Sequence, residues 1–354
     1  MKKIPCILIA AALFAAGCAK DVTTSDNALN KEYYEAWITE QSTDEYGDYP
    51  DASPTPVGNG IYILEEQTGS GAAYNGEDFV WVDYTASSMD GTISSTTDAE
   101  IAQRLQIYSD SFYYGPRVWP TYVSSLPVGL ADVLAGMKIG GRRKALIPSW
   151  LMGYDRYNGG AAEYLKHTPA NASTAIYDVT LRDFTSNMPD HQIKEVESYG
   201  KATYGQADSL SYGFYWFELD KPSADSEFAS SDKVKINYIG RRMDGSVFDT
   251  SIERVAKDNG IWTEDRTYGP ATVTWATEYS ELKMTLAGSS ESTAPITGFQ
   301  RALWQLRKGS RGEGVFLSTL GYGTAGSGSA SKGYVIPPYS PLRFEISFVS
   351  LVEE

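Results

Sequence analysis

The chain has 354 residues, of which 42% are apolar and 13% aromatic, a length and composition typical of about two globular domains with packed cores. Its acidic residues outnumber its basic residues by 45 to 30, which gives a formal net charge of -15 at pH 7. A field of this sign repels phosphate backbones, so no nucleic-acid partner is expected.

The N-terminal residues have the layout of a secretory signal. Lys2 and Lys3 precede an apolar run at 4–14 that is too short to span a bilayer stably. The small residues 15–17 come next, directly before Cys18. This order resembles the lipobox of bacterial lipoproteins, although Ala15 stands where Leu is usual. It implies that Cys18 is diacylated and becomes the new N-terminus.

The alternative is ordinary signal cleavage that leaves Cys18 as a spare thiol. Cys6 is removed with the signal in both cases, so neither a disulfide framework nor a cysteine metal site is expected. Loss of residues 1–17 removes two lysines and changes the formal charge from -15 to -17. We therefore expect a cell-envelope protein whose membrane contact is a lipid anchor in the outer membrane, on its periplasmic face or at the cell surface.

An internal repeat organises the rest of the chain. Tyr84 and Tyr238 are 154 residues apart, and so are Asp90 and Asp244 in two Asp-Gly turns. Strands around these residues, a short amphipathic helix and a closing strand recur in the same order. Apolar residues at i, i+3, i+4 and i+7 define the two helices: Leu130, Val133, Leu134, Met137 and Phe299, Ala302, Leu303, Leu306. The pattern predicts an α+β fold, in which each copy wraps an antiparallel sheet over one helix.

Two further helices are predicted outside the copies. One is a possible short helix at 29–39 with Tyr33 and Trp37 on one side, and the other begins at Pro189 and ends at Gly200. In chain order we predict a lipoprotein signal peptide at 1–17, a tether at 18–56, a first domain at 57–186, a linker helix at 187–209 and a second domain at 210–354.

Six segments of the second copy follow one another in a distinctive order: VKINYIG at 234–240, DGSVFDTS at 244–251, ITGF at 296–299, GYG at 321–323, VIPP at 335–338 and LRFE at 342–345. In these segments and their order the second copy resembles the FKBP family of peptidyl-prolyl cis-trans isomerases. This resemblance covers residues 210–354. It implies an apolar pocket with Phe299 as its floor and with the following walls: Tyr238, Phe248, Ile296, Tyr322 and Phe344. It also implies Asp249 at the pocket edge, Ile336 at the substrate rim, and the Ile296 N–H and the Tyr322 hydroxyl facing the bound peptide.

The first copy looks like a divergent module of the same family. Tyr84 is kept, but Ser94 and Ser95 stand where the second copy has its Phe-Asp pair, and Leu130 stands at the helix start. In the second copy, a longer segment at about 256–281 is interpreted either as a substrate-contacting flap or as a loop with its own small core. The Gly/Ser stretch at 323–333 is interpreted as a flexible rim.

The resemblance implies an isomerase that uses no cofactor and no metal. His167 and His191 are the only histidines, and both are expected at the surface, so a histidine-centred triad or metal site is not expected. The leading hypothesis is that the second domain isomerises X-Pro bonds in exported polypeptide clients during their folding. A non-catalytic polypeptide-binding chaperone or adaptor is the alternative, and glycan binding is a third hypothesis suggested by the many Tyr and Trp residues. The clients and the oligomeric state stay open.

Overall fold

The computed structural model describes residues 26–42, 58–122, 124–223, 227–329 and 332–352, with side chains from residue 30 onward. The predicted signal peptide and Cys18 lie outside the described residues, so lipid attachment stays a prediction. No helix in the described ranges is both long and apolar enough to cross a membrane.

The N-terminal half forms a six-stranded antiparallel sheet with short helices. Its elements are α1 (Asp26–Gln41), β1 (Tyr62–Gln67), β2 (Phe79–Ser87), β3 (Ile93–Thr96), α2 (Ala99–Arg104), β4 (Arg117–Pro120), α3 (Val128–Leu134), β5 (Arg142–Ile147), α4 (Ala161–Lys166) and β6 (Ala175–Thr185). The strand order is β1-β5-β6-β2-β3, and β4 pairs with the N-terminal part of β2, residues 79–82.

The C-terminal half forms a nine-stranded antiparallel sheet. Its elements are α5 (Met188–Tyr204), β7 (Ser209–Ser211), β8 (Phe214–Asp220), β9 (Lys233–Arg242), β10 (Val247–Thr250), α6 (Glu253–Asp258), β11 (Ala271–Thr274), β12 (Lys283–Thr285), β13 (Ser292–Thr293), α7 (Thr297–Trp304), β14 (Arg311–Phe316), β15 (Ser327–Ser329), β16 (Gly333–Ile336) and β17 (Leu342–Leu351). The strand order is β13-β12-β11-β9-β17-β14-β8-β7, β10 also pairs with β9, and β15 and β16 form a separate hairpin.

The two sheets share one connectivity. The pairings of β2 with β3, β4 and β6 recur as those of β9 with β10, β11 and β17, and β1-β5-β6 recurs as β8-β14-β17. The predicted α+β fold, with an antiparallel sheet over a short helix in each of two copies, is confirmed. Both main helices are shorter than their apolar patterns, since α3 ends at Leu134 and α7 ends at Trp304. The last apolar residue of each pattern, Met137 or Leu306, is buried but lies beyond the helix.

Helix α1 is longer than predicted and presents a different face to the core. Tyr34 and Ile38 are buried, whereas Tyr33 is 73% exposed. The Tyr34 ring lies 5.3 Å from the ring of Trp150, and its hydroxyl donates to the Gly60 carbonyl. Residues assigned to the tether therefore include a helix that is part of the first domain's core.

Helix α5 runs past its predicted end at Gly200 and ends at Gly205, which has the left-handed backbone conformation common at helix ends. Gly200 lies inside the helix, and it is required there by packing and not as a helix end, because a Cβ at this position would lie 2.8 Å from the Phe217 ring. Tyr199 and Tyr204 each donate a hydrogen bond of 2.7 Å to Glu313 on β14. The linker helix is thus packed on the second domain's sheet, on the face opposite α7.

Candidate functional site

An aromatic cluster lies between the second sheet and the start of α7. Phe299, in the first turn of α7, stacks on Phe344 of β17 with ring centroids 4.3 Å apart. Tyr238 of β9 lies 5.4 Å from Phe299, and Phe248 of β10 meets Phe344 edge to face at 5.5 Å. Four of the predicted site residues are therefore brought together, in the offset and edge-to-face arrangements that aromatic rings favour.

Gly240 explains how these rings come so close to the sheet. It lies on β9, two residues after Tyr238, between the rings of Phe248 and Phe344. A Cβ at this position would lie 2.8 Å from Phe248 Cζ and 2.9 Å from Phe344 Cε1, closer than a side chain tolerates. The glycine in VKINYIG is thus required by packing and not by a turn.

A polar triad forms the edge of the cluster. The Tyr238 hydroxyl donates to Asp249 Oδ2 at 3.0 Å, and Arg266 donates to Asp249 Oδ1 at 2.6 Å and to the Tyr238 oxygen at 3.0 Å. Burial, followed by the charge of Asp249, raises the pKa of the Tyr238 phenol well above its usual range. The phenol is therefore neutral at physiological pH and fixed as a donor to the carboxylate.

Sequence reasoning missed Arg266, which lies in the segment at 256–281. The interpretation as a loop with its own small core is wrong, because the segment contains β11, which pairs with β9 within the sheet. The interpretation as a substrate-contacting flap stays a prediction. Trp275 is buried in the main core and stacks on Trp304 at 5.8 Å. The chain must return to the sheet beside β9, and this path brings Arg266 over Asp249.

The other predicted site residues occupy different depths. Tyr322 is 37% exposed, and its hydroxyl makes no hydrogen bond to another described residue. Burial, followed by the charge of Asp249, raises the pKa of Tyr322. Ile296 caps the start of α7 and is partly buried against the core. Ile336 is only 1% exposed, so it lies beneath the surface and not at an exposed rim.

The Gly/Ser stretch predicted as a flexible rim includes β15 and ends at the first residue of β16, and the β15–β16 hairpin contacts the first domain. The Tyr113 N–H donates to the Tyr334 carbonyl at 2.7 Å. Arg242, which is buried, donates to the Val335 carbonyl at 2.6 Å and to the Ser111 carbonyl at 2.9 Å. The strand that leads into Ile336 is thus held by residues of both domains.

The first domain keeps the frame of this site but not its polar triad. The Tyr84 hydroxyl and Ser95 Oγ are 3.2 Å apart, at the positions of Tyr238 and Asp249. Ser94 donates to the Ala86 carbonyl, so it provides no ring. Leu130 is buried at the helix start, where the second domain has Phe299.

The two histidines have different environments. His167 is exposed as predicted, whereas His191 is partly buried, stacks on Trp81 at 4.1 Å and lies 3.0 Å from Asp183. The prediction for His191 is wrong because α5 packs beside the first domain. Within the described residues, no group of three or more His, Cys, Asp or Glu side chains is arranged to hold a metal.

No protein-family model matches the chain. Among curated proteins it is similar to the macrophage infectivity potentiator of Trypanosoma cruzi, with 29% identity over 151 residues, which are 43% of this chain and 59% of the relative. The chain therefore spans about three fifths of the length of this curated relative.

Solved structures also resemble the chain, all at low TM-scores. The three FKBP domains of wheat FKBP73 match 83% of this chain and 96% of theirs, with 18% identity and a TM-score of 0.28. A peptidyl-prolyl cis-trans isomerase of Pseudomonas syringae matches 48% of this chain and 98% of its own, with 20% identity and a TM-score of 0.31. FkpA of Escherichia coli matches 46% of this chain and 59% of its own, with 21% identity and a TM-score of 0.31.

Proposed function

We propose that this chain, whose predicted resemblance to the FKBP family is confirmed, is a peptidyl-prolyl cis-trans isomerase that acts through its second domain. The observation that carries the proposal is the Tyr238–Asp249–Arg266 triad at the edge of the four-ring cluster. The apolar walls suit the proline ring of a substrate, and the fixed polar edge suits the X-Pro amide that must rotate beside it.

Isomerisation of an X-Pro bond requires little from the protein beyond an apolar pocket with a polar edge. Rotation about an X-Pro bond has a barrier of about 18–20 kcal/mol, because resonance keeps the amide planar. Twisting reduces the amide's charge separation, so walls that exclude water favour the twisted form over the planar form. No covalent bond breaks, and neither a nucleophile nor a general base is required.

The donors near the cluster have distinct tasks in this proposal. The Tyr322 hydroxyl, which is bonded to no described residue, donates to the substrate carbonyl. The Ile296 N–H at the start of α7 is a second donor, because the first N–H groups of a helix lack intrahelical partners. Asp249 and Arg266 hold the Tyr238 ring in place, which keeps the pocket wall rigid when substrate enters.

We also propose that the first domain contributes little to isomerisation. Ser94 and Ser95 supply neither an aromatic wall nor an acidic edge, and Leu130 offers less ring surface than Phe299. Each 1.36 kcal/mol lost from transition-state binding lowers the rate about tenfold. Several missing contacts together leave little catalysis.

The clients in this proposal are exported proline-containing polypeptides in the cell envelope, where Cys18 would hold the protein at the outer membrane. The lipobox-like sequence and the signal layout support this location. A lipid anchor would place the second domain within reach of chains that are folding outside the cytoplasm.

The test is NMR exchange spectroscopy on a Xaa-Pro peptide with catalytic amounts of the full chain. Faster cis-trans exchange supports the enzyme. If the full chain binds an unfolded polypeptide but leaves the exchange rate at the uncatalysed value, the non-catalytic chaperone is the correct function.

A further inference from the structure

Two residues of the proposed isomerase pocket, Tyr322 and Ile336, come from the long connection between β14 and β17. We call residues 318–339 of this connection the Tyr322 segment. It starts with a 3₁₀ turn at Ser318–Leu320, and Tyr322 follows two residues after the turn. Connections at the surface are more mobile than the strands they join, so the contacts that hold this segment determine how firmly Tyr322 is placed.

One side chain of α5, Gln192, contacts both ends of the Tyr322 segment. Gln192 is only 2% exposed, although it lies on the helix that precedes the second sheet. Its side-chain carbonyl accepts from the Ser318 N–H at 3.0 Å. Its amide group donates to Ser318 Oγ at 3.0 Å and to the Tyr339 carbonyl at 2.8 Å. A single buried amide therefore joins the first and the last residue of the segment.

The backbone around Tyr322 is bonded to the same two residues. Gly321 and Gly323, on either side of Tyr322, donate to the Ser318 carbonyl at 2.9 and 2.8 Å. The Tyr339 N–H donates to the Gly323 carbonyl at 2.8 Å. A displacement of Ser318 or Tyr339 would therefore displace the backbone that carries the Tyr322 ring.

The first domain satisfies the equivalent turn in a different way. Its turn begins at Ser149, two residues after β5, as Ser318 comes two residues after β14. The Ser149 N–H donates to Thr174 Oγ1 at 3.2 Å, and Thr174 directly precedes the closing strand β6. In the second domain the residue directly before the closing strand β17 is Pro341, whose side chain has no acceptor.

The second domain thus takes from α5 the acceptor that the first domain finds within its own repeat. A buried backbone N–H needs a partner, and Ser318 is only 3% exposed. Helix α5 is itself fixed on the sheet by the hydrogen bonds of Tyr199 and Tyr204 to Glu313. Gln192 is therefore a rigid support for the turn before Tyr322.

We propose that Gln192 is a positioning residue for isomerisation, which holds Tyr322 in place at the pocket without touching the substrate. This role rests on the proposed function, in which the Tyr322 hydroxyl donates to the substrate carbonyl. The support fixes the Tyr322 backbone before substrate binds, so little ordering is left for the bound state. Helix α5, which lies outside both repeats, is then a working part of the isomerase domain.

Gln192→Met in the full chain tests the proposal, because it keeps the length of the side chain and removes its three hydrogen bonds. We expect kcat/KM for Xaa-Pro peptides to fall several-fold and the amide hydrogens of Gly323 and Tyr339 to exchange faster. The matched control is Gln300→Met. Gln300 is 5% exposed and donates to the Ser280 and Leu282 carbonyls at 3.1 and 3.3 Å, outside the Tyr322 segment. This control should change neither kcat/KM nor those two exchange rates, even if its melting temperature falls as much.

A comparison in the Tyr322→Ala background separates positioning from a general loss of stability. If Gln192 acts through Tyr322, Gln192→Met should change kcat/KM there by less than about twofold. Pro341→Thr, added to Gln192→Met, supplies the acceptor that Thr174 provides in the first domain and should restore part of the lost kcat/KM. Should Gln192→Met not fold, Ser318→Ala takes its place in the same two backgrounds, with a smaller loss expected because it removes one hydrogen bond.

The outcomes distinguish this proposal from the proposed function. An active wild type with an unchanged kcat/KM in folded Gln192→Met would overturn the positioning role alone. Equal losses from Gln192→Met in the wild-type and Tyr322→Ala backgrounds, or an equal loss in Gln300→Met, would also overturn it, because the effect would then be structural. A wild type that does not accelerate cis-trans exchange would refute the proposed function, and the positioning role with it.

Discussion

Removal of Arg266 should destabilise the edge of the second domain's pocket by leaving the Asp249 carboxylate unpaired. Two unit charges about 4 Å apart attract by about 4 kcal/mol at an effective dielectric constant of 20 and by about 1 kcal/mol in water. The side chains are 31% and 34% exposed, so the interaction lies between these limits. We expect a coupling free energy of about 1–3 kcal/mol between the two residues.

The assay is a double-mutant cycle with Arg266→Gln, Asp249→Asn and the double variant. Native-state hydrogen exchange of amides in β9 and β10 reports the local free energy of opening, which avoids treating a two-domain protein as a two-state system. Arg266→Gln alone should lower the local free energy of opening more than the double variant does, because it leaves a partly buried carboxylate without its cation. If the two single effects add to within about 0.5 kcal/mol of the double variant, the two residues do not act as a pair and the reasoning is refuted.

Three further predictions concern other parts of the chain. Tyr322→Phe keeps the ring but removes a donor, so kcat/KM for Xaa-Pro peptides should fall several-fold with an unchanged melting curve; an unchanged kcat/KM would exclude the hydroxyl from the reaction. Burial, followed by the charge of Asp244, raises the pKa of Tyr113 to about 12, compared with about 10 in the unfolded chain. The unfolded state loses this proton first as pH rises, so the stability from the neutral phenol is complete below pH 10 and falls by about 2–3 kcal/mol between pH 10 and 12. Tyr113→Phe should reduce that loss, and an identical pH profile of stability would contradict the assignment. Cys18→Ser should abolish fatty-acid labelling in cells, and equal labelling of the variant would rule out acylation at Cys18.

The fold could be predicted from the sequence repeat because the need to bury apolar side chains determines both the apolar pattern of the sequence and the fold. The apolar faces of α3 and α7 and the alternating strands around Tyr84 and Tyr238 leave few arrangements that bury them. The same local pattern failed at α1, where Tyr33 and Tyr34 are adjacent and equally aromatic. Contact with Trp150, far along the chain, decides which of the two is buried.

The residues that sequence reasoning missed act through long-range contacts. Arg266 is 17 residues from Asp249, and only the pairing of β11 with β9 brings it into place. The sequence predicts a surface position for His191 because nothing local indicates its stacking on Trp81, which depends on how α5 lies beside the first domain.

The most direct test of the account is to determine, in the full chain, which of the two domains carries the isomerase activity. Phe248→Ala removes one wall of the second pocket, and Ser94→Ala changes the equivalent position of the first. Truncation of a buried aromatic costs about 3–5 kcal/mol of stability, so melting curves must accompany the exchange measurements. We predict that Phe248→Ala, while still folded, loses at least about tenfold in kcat/KM and that Ser94→Ala retains the wild-type value. Full activity in folded Phe248→Ala, or a loss in Ser94→Ala alone, would contradict the assignment of catalysis to the second domain.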